Sequence, residues 1–164
     1  MKRISKAVKD TDLEILFVLE ERKGRRSSWI ENAKGGVIVM KKISTDKAPA
    51  AIGPYSQAVI AGDFLHASGQ IPINPATGNV EAEGITAQAE QSMVNVGEIL
   101  KAADATYDNV VKTTCFLADI ADFSAFNEVY AKYFTQNPAR SCVAVKDLPK
   151  GVLCEVEVIA YLGD

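Results

Sequence analysis

An α+β fold, with one β-sheet and two helices packed on one of its faces, is predicted for residues 40–164 by three observations. A Gly62-Asp63 hairpin signal separates two apolar runs. Apolar residues then recur at helical spacing from Ile85 to Ala103. A β-branched run, Val110 to Leu117, follows that helix. Strands and helices in this order bury one face of a sheet beneath the helices.

The elements follow in chain order. Pro54 to Ile60 reads as a strand after the Gly53-Pro54 turn, and Phe64 to Ser68 as its hairpin partner. Asn74 to Asn79, with Pro75 and Gly78, reads as a loop. The first helix carries apolar residues at 85, 89, 93, 96, 100 and 103, with Thr86 as its cap and Asp104 near its end. Val110 to Leu117 is the next strand. Asp122 caps a second helix whose apolar face holds Phe123, Phe126, Val129, Tyr130, Tyr133 and Phe134, aromatics that read as core or interface. Ser141 to Val145 is a strand, Leu148-Pro149-Lys150-Gly151 a turn, and Cys154 to Leu162 the last strand. The order is ββ, α, β, α, ββ. The sheet face without helices needs cover, and sister subunits of a homo-oligomer are expected to supply it.

The 164 residues suffice for one domain with a proper core, and 48% hydrophobic against 24% charged is the balance of a soluble globular protein. A net charge of -3 argues against a nucleic-acid binder, which usually carries a basic face. No stretch is long and apolar enough to span a bilayer. The apolar run Ile15 to Leu19 is short, is flanked by Glu14 and Glu20, and lacks the order of a signal peptide.

Charge divides the chain at Met40. Residues 1–39 hold nine Lys/Arg and six Asp/Glu, whereas residues 40–164 hold nine and fifteen. In the first part Thr11 and Glu14 make a capping pair before Leu13, Leu16 and Phe17, and Arg22, Lys23, Arg25 and Arg26 form a basic cluster. That cluster reads either as an arm for an acidic partner or as a solvated tail. Lys34-Gly35-Gly36 can also be encoded by a purine-rich stretch like a bacterial ribosome-binding site, a short step before Met40-Lys41-Lys42. Residues 1–39 are therefore expected to be a non-native or disordered extension. Genomic codons poor in purines at 34–36 would remove the support for this.

Cys115, Cys142 and Cys154 lack zinc-type spacing and read as buried free thiols, which suits a reducing cytoplasm. His66, the single histidine, lies in an apolar stretch, cannot build a typical zinc site alone, and reads as structural.

Strand alternation puts Arg140 and Cys142 on one side of their strand, with Ser141 and Val143 on the other. It likewise separates Glu155, Glu157, Ile159 and Tyr161 from Cys154, Val156, Val158 and Ala160. Arg140, directly after Pro138-Ala139, is either a bidentate fork for a carboxylate or a rim arginine in a surface ion pair. Glu155 either polarises a water or pairs with Arg140 or a lysine. Ser68-Gly69 either faces a ligand with a hydroxyl and bare backbone or simply ends a strand. Asn127 either donates to a ligand or is exposed.

Four segments in order resemble the reactive intermediate deaminase family, RidA or YjgF. They are Ala51-Ile52-Gly53-Pro54-Tyr55-Ser56-Gln57-Ala58, Ser68-Gly69-Gln70-Ile71-Pro72, Pro138-Ala139-Arg140-Ser141-Cys142-Val143, and Leu148-Pro149-Lys150-Gly151 running into Glu155-Val156-Glu157. Gln88, Gln91 and Asn95 on the first helix, and Asn127-Glu128-Val129-Tyr130, resemble it too. The likeness runs from about Met40 to Leu162, and together the motifs are highly specific. It implies a chorismate-mutase-like fold, a homotrimer with pockets between subunits, and no metal or organic cofactor. It also implies hydrolysis of 2-aminoacrylate and related enamine or imine acids to 2-keto acids and ammonia. By the resemblance Arg140 binds the carboxylate and Gly69 adds a backbone contact beside Ser68. Tyr55, Asn127 and Cys142 line the pocket, and Glu155 places the attacking water. The Thr135-Gln136-Asn137 connection is shorter than in many relatives, which bears on substrate range.

Two other functions stay open. One is a non-catalytic binder that senses 2-keto acids or amino acids. The other is RNA cleavage with inhibition of translation, which the acidic domain disfavours.

Overall fold

The computed structural model describes residues 40–163. The helix expected after Thr11 and the basic cluster lie outside the described residues. Six strands, β1 (Met40–Ile43), β2 (Ala58–Ala61), β3 (Phe64–Gln70), β4 (Val110–Leu117), β5 (Ala139–Ala144) and β6 (Cys154–Tyr161), form one sheet in the order β1-β2-β3-β6-β4-β5. All neighbours are antiparallel except β4 and β5. The helices α1 (Gly84–Ala102) and α2 (Phe123–Tyr133) pack against each other, with α1 on β3 and β6.

Alternation decides which face is which. On β6, Cys154, Val156, Val158 and Ala160 are buried while Glu155, Glu157 and Ile159 are half-buried. Register carries this across the sheet: Val156 lies opposite Cys115 and Val158 opposite Thr113, whereas Glu155 lies opposite Phe116. The covered face receives Met93, Val96, Ile99 and Leu100 from α1 and Phe126 and Val129 from α2, all essentially inaccessible. Each such side chain contributes about 1.5–3 kcal/mol by leaving water. Among the described residues nothing covers the other face. It carries Phe64, Val143 and Tyr161, each more than a third exposed, beside His66.

Several elements differ from the sequence expectation. β1 was not expected: it is a four-residue edge strand holding Lys41 and Lys42, and edge lysines blur alternation while protecting an open edge. The strand expected from Pro54 begins only at Ala58. Tyr55 N–H turns back to Gly53 O at 2.8 Å, and the Gln57 side chain leaves the strand direction altogether. Its Oε1 accepts from Thr45 N at 2.7 Å, and its Nε2 lies 3.0, 3.1 and 2.8 Å from the carbonyls of Thr45, Ala48 and Pro49. Thr86 does not cap α1. The positive φ of Gly84 turns the chain into the helix earlier, so Glu83 holds the N-cap position, without a side-chain bond. Asp122 does stand at the N-cap of α2, but in helical geometry and with no capping bond, because a 3-10 turn capped by Asp119 precedes it. β5 runs Ala139–Ala144 rather than Ser141 to Val145, and β6 ends at Tyr161. His66 is exposed on the uncovered face, since it stands between the inward-facing Leu65 and Ala67. Cys142 is half-buried rather than buried, because β5 is an edge strand.

The polar residues of α1 are structural clamps. Asn95 donates to the carbonyls of Ile71 and Ile73 at 3.0 and 2.9 Å, and its Oδ1 accepts from Gln91. Gln88 accepts from Leu153 N at 2.7 Å and donates to Ala82 O. They satisfy buried backbone where loops cross the helix. Gln57 does the same for the loop before β2. Gln57→Leu should therefore destabilise the fold by roughly 2–4 kcal/mol, since several buried groups lose partners; urea unfolding measures this.

Candidate functional site

Arg140 projects from β5 onto the helix side of the sheet, in register with Thr113 of β4. There α2 presents Phe123, Asn127 and Tyr130, spaced i, i+4, i+7 on one stripe. The guanidinium carbon lies 4.6 Å from the Tyr130 ring centroid and 5.6 Å from that of Phe123. Asn127 Oδ1 accepts from Arg140 Nη1 at 2.7 Å. The Tyr130 hydroxyl is itself held 2.9 Å from Thr113 Oγ1. Aromatic faces and one amide thus orient the cation, and no ion pair among the described residues involves it. The rim ion pair is not found among the described residues.

Cys142 lies two residues on, on the same side, directly opposite Cys115. Burial pushes its thiol up, only partly offset by Arg140. A protonated thiol is a poor nucleophile, so a covalent role for Cys142 is disfavoured. The buried Cys115 and Cys154 thiols are pushed up to about 12 by desolvation.

A second group lies elsewhere. Gly69 sits in a bulge of β3, and a Cβ there would fall on Glu155 Oε1. Only glycine lets that carboxylate lie across the strand. Burial, with Glu157 nearby as a lesser cause, raises the pKa of Glu155. Ser68 Oγ donates to Ser56 O at 2.7 Å, and Ser68 N–H to Gln57 O at 2.9 Å, which ties Tyr55 and its loop beside this group. Tyr55 is half exposed.

The structure therefore brings the expected residues together as two clusters. Arg140, Asn127 and Cys142 form one, on the helix side of the β5 edge. Ser68, Gly69 and Glu155, with Tyr55 nearby, form the other. β6 and β4 separate β3 from β5, a distance of about 14 Å at the usual strand spacing. Glu155 and Arg140 also belong to opposite faces. Sequence spacing does not mark Phe123 and Tyr130, which read as core or interface, or Thr113 as neighbours of Arg140. The signal available was the shared stripe with Asn127.

Comparison with known proteins identifies the class: residues 45–162 match the family model described as endoribonuclease L-PSP. The chain belongs to this family, also called the YjgF/RidA family. It is 49% identical over 127 residues to the human 2-iminobutanoate/2-iminopropanoate deaminase, covering 77% of this chain and 93% of that protein. A candidate regulator, AldR, of Lactococcus lactis is 55% identical over 122 residues, covering 74% and 97%. Among solved structures, Escherichia coli TdcF with bound serine superposes with a TM-score of 0.72 at 43% identity, covering 75% of this chain and 99% of that one.

Two outcomes check this geometry. Gly69→Ala should displace Glu155 and leave Arg140 untouched, so activity falls while anion binding persists; titration with a simple carboxylate separates the two. A carboxyl group whose folded pKa is raised stabilises most at low pH, and that contribution is lost as pH rises above the ordinary carboxylate range. Glu155→Gln should accordingly raise the thermal midpoint at about pH 7 and leave it nearly unchanged at about pH 4.

Proposed function

We propose that the chain hydrolyses 2-aminoacrylate-type enamine and imine acids to 2-keto acids and ammonia, acting as a homotrimer with its pockets between subunits. In this reading each pocket takes Arg140, Asn127 and Cys142 from one subunit and Tyr55, Ser68, Gly69 and Glu155 from its neighbour. The observation that carries it is Arg140, a guanidinium oriented by Tyr130, Phe123 and Asn127 with no carboxylate partner among the described residues. The separation of the two clusters supports a shared site, and the uncovered sheet face offers the surface for it. Relatives named as imine deaminases, at about half identity, support the chemistry.

The chemistry asks little of the protein. The imine carbon is already electrophilic, so orientation against a water supplies most of the acceleration. Arg140 grips the carboxylate, and the backbone at Gly69 and the Ser68 hydroxyl flank the substrate. From the protonated imine tautomer, Glu155 takes a proton as water adds to the C=N carbon, returns it to the nitrogen, and takes the hydroxyl proton as the C–N bond breaks to leave the 2-keto acid and ammonia. Its raised pKa moves it toward neutrality, where both forms are accessible. Cys142 and Tyr55 close the walls. No metal or organic cofactor has a role in this sequence of steps. The free thiols suit a reducing compartment, and we assign the protein to the cytoplasm on that basis.

Arg140→Ala should lower kcat/KM for keto-acid release from an enamine generated in situ by roughly a hundredfold or more, as two charge-assisted bonds are lost. Unchanged activity would sink the clamp. Refolding Arg140→Ala together with Glu155→Gln tests the shared pocket. Random assortment would rebuild about one quarter of the sites, so activity should return in the mixture. A mixture as inactive as its components would place the site within one chain.

A second reading, a sensor that binds 2-keto or amino acids without turnover, draws on the AldR relative. Tight 2-ketobutyrate binding with no ammonia release would favour it. RNA cleavage, suggested by the family description, fits poorly with nine basic against fifteen acidic residues in 40–164.

A further inference from the structure

Arg140 closes one end of a groove of about 770 Å³ between the last turn of α2 and the connection to β5. Tyr130 and Phe134, their ring centroids 4.5 Å apart, form its floor. Ala131 stands on the helix side, and Thr135, Asn137 and Pro138 on the other. The connection is tight for a physical reason. Asn137 N–H closes onto Phe134 O at 3.2 Å, and Asn137 takes a positive φ of 53°. A turn closed in this way has no spare residue to fold over the groove.

Resting on the reading of Arg140 as a carboxylate anchor, we propose that this groove is a side-chain subsite, which directs the enzyme to 2-imino acids with extended neutral side chains, aromatic or long and unbranched. The groove is open along much of its length, and beside Arg140 it leaves more room than a four-carbon acid fills. The aromatic floor favours apolar bodies, and Thr135 and Asn137 tolerate a polar tip. Among the described residues, Arg140 is the only charged residue that its own subunit contributes to the groove. A cationic side chain lying beside it would meet repulsion, and a second carboxylate would compete for the anchor. The reaction that supplies such substrates is oxidation of the matching amino acid to its imine.

The test compares imines released in situ by an L-amino-acid oxidase from phenylalanine, norleucine and 2-aminobutyrate, in wild type and in Ala131→Phe, which puts a ring into the groove from an exposed helix position. Calorimetry with phenylpyruvate and 2-ketobutyrate gives a readout independent of turnover. Wild type should bind phenylpyruvate more tightly and process the larger imines at least as well as the smallest. In Ala131→Phe the ratio of kcat/KM, large over small, should fall tenfold or more through KM, with the same reversal in binding. Thr135→Trp, blocking from the opposite wall, should reproduce it. Wild type that turns over only the four-carbon imine, or ratios unmoved in both variants, would overturn the subsite. Preferential phenylpyruvate binding without turnover of any imine would overturn the deaminase reading and leave the subsite standing.

Discussion

Strand β6 is hydrogen-bonded on both sides, between β3 and β4, and its side chains alternate strictly between two faces. Most other features depend on that constraint. Cys154, Val156, Val158 and Ala160 can be buried only if both helices lie on their side. Glu155 is then committed to the opposite face, where a carboxylate keeps contact with water and lies across Gly69. A shift of one residue in β6 would bury Glu155 and Glu157 beneath α1, at a cost of several kcal/mol for each unpaired charge.

The same alternation explains why one chain presents two separate clusters. Arg140 shares the covered face because β5 pairs with β4 in parallel register and Thr113 faces inward. At the sheet edge the helix layer thins, so the guanidinium meets α2 side chains without being sealed. Its neighbours are aromatic faces and an amide rather than a carboxylate. Among the described residues no carboxylate occupies its fork.

The alternation on β5 and β6 was legible in the sequence, because period-two patterning needs nothing beyond the strand itself. So were the span of β4, the hairpin at Gly62-Asp63 and, within a residue, α1. The start of β2 was not, since it depends on where the Gln57 side chain finds carbonyls eight to twelve residues earlier. The α1 cap was not, because a positive φ at Gly84 leaves no mark distinct from any other glycine. Short β1 was hidden by its two lysines. Tyr130 read as core and is indeed buried, yet one face of its ring holds Arg140.

Among the expected site residues, the sequence by itself determined chemistry and sidedness: a permanent cation beside a thiol, an acid on the far side of its strand, and a family resemblance that the comparisons support. These are local properties, set by residue type and by the two-residue repeat of extended chain. Only the tertiary structure decided which residues meet. It paired Arg140 with the Phe123, Asn127 and Tyr130 stripe, laid Glu155 over Gly69, and kept those clusters on opposite faces with two strands between. Strand order in a sheet is a long-range choice made by packing, and no spacing along the chain encodes it directly.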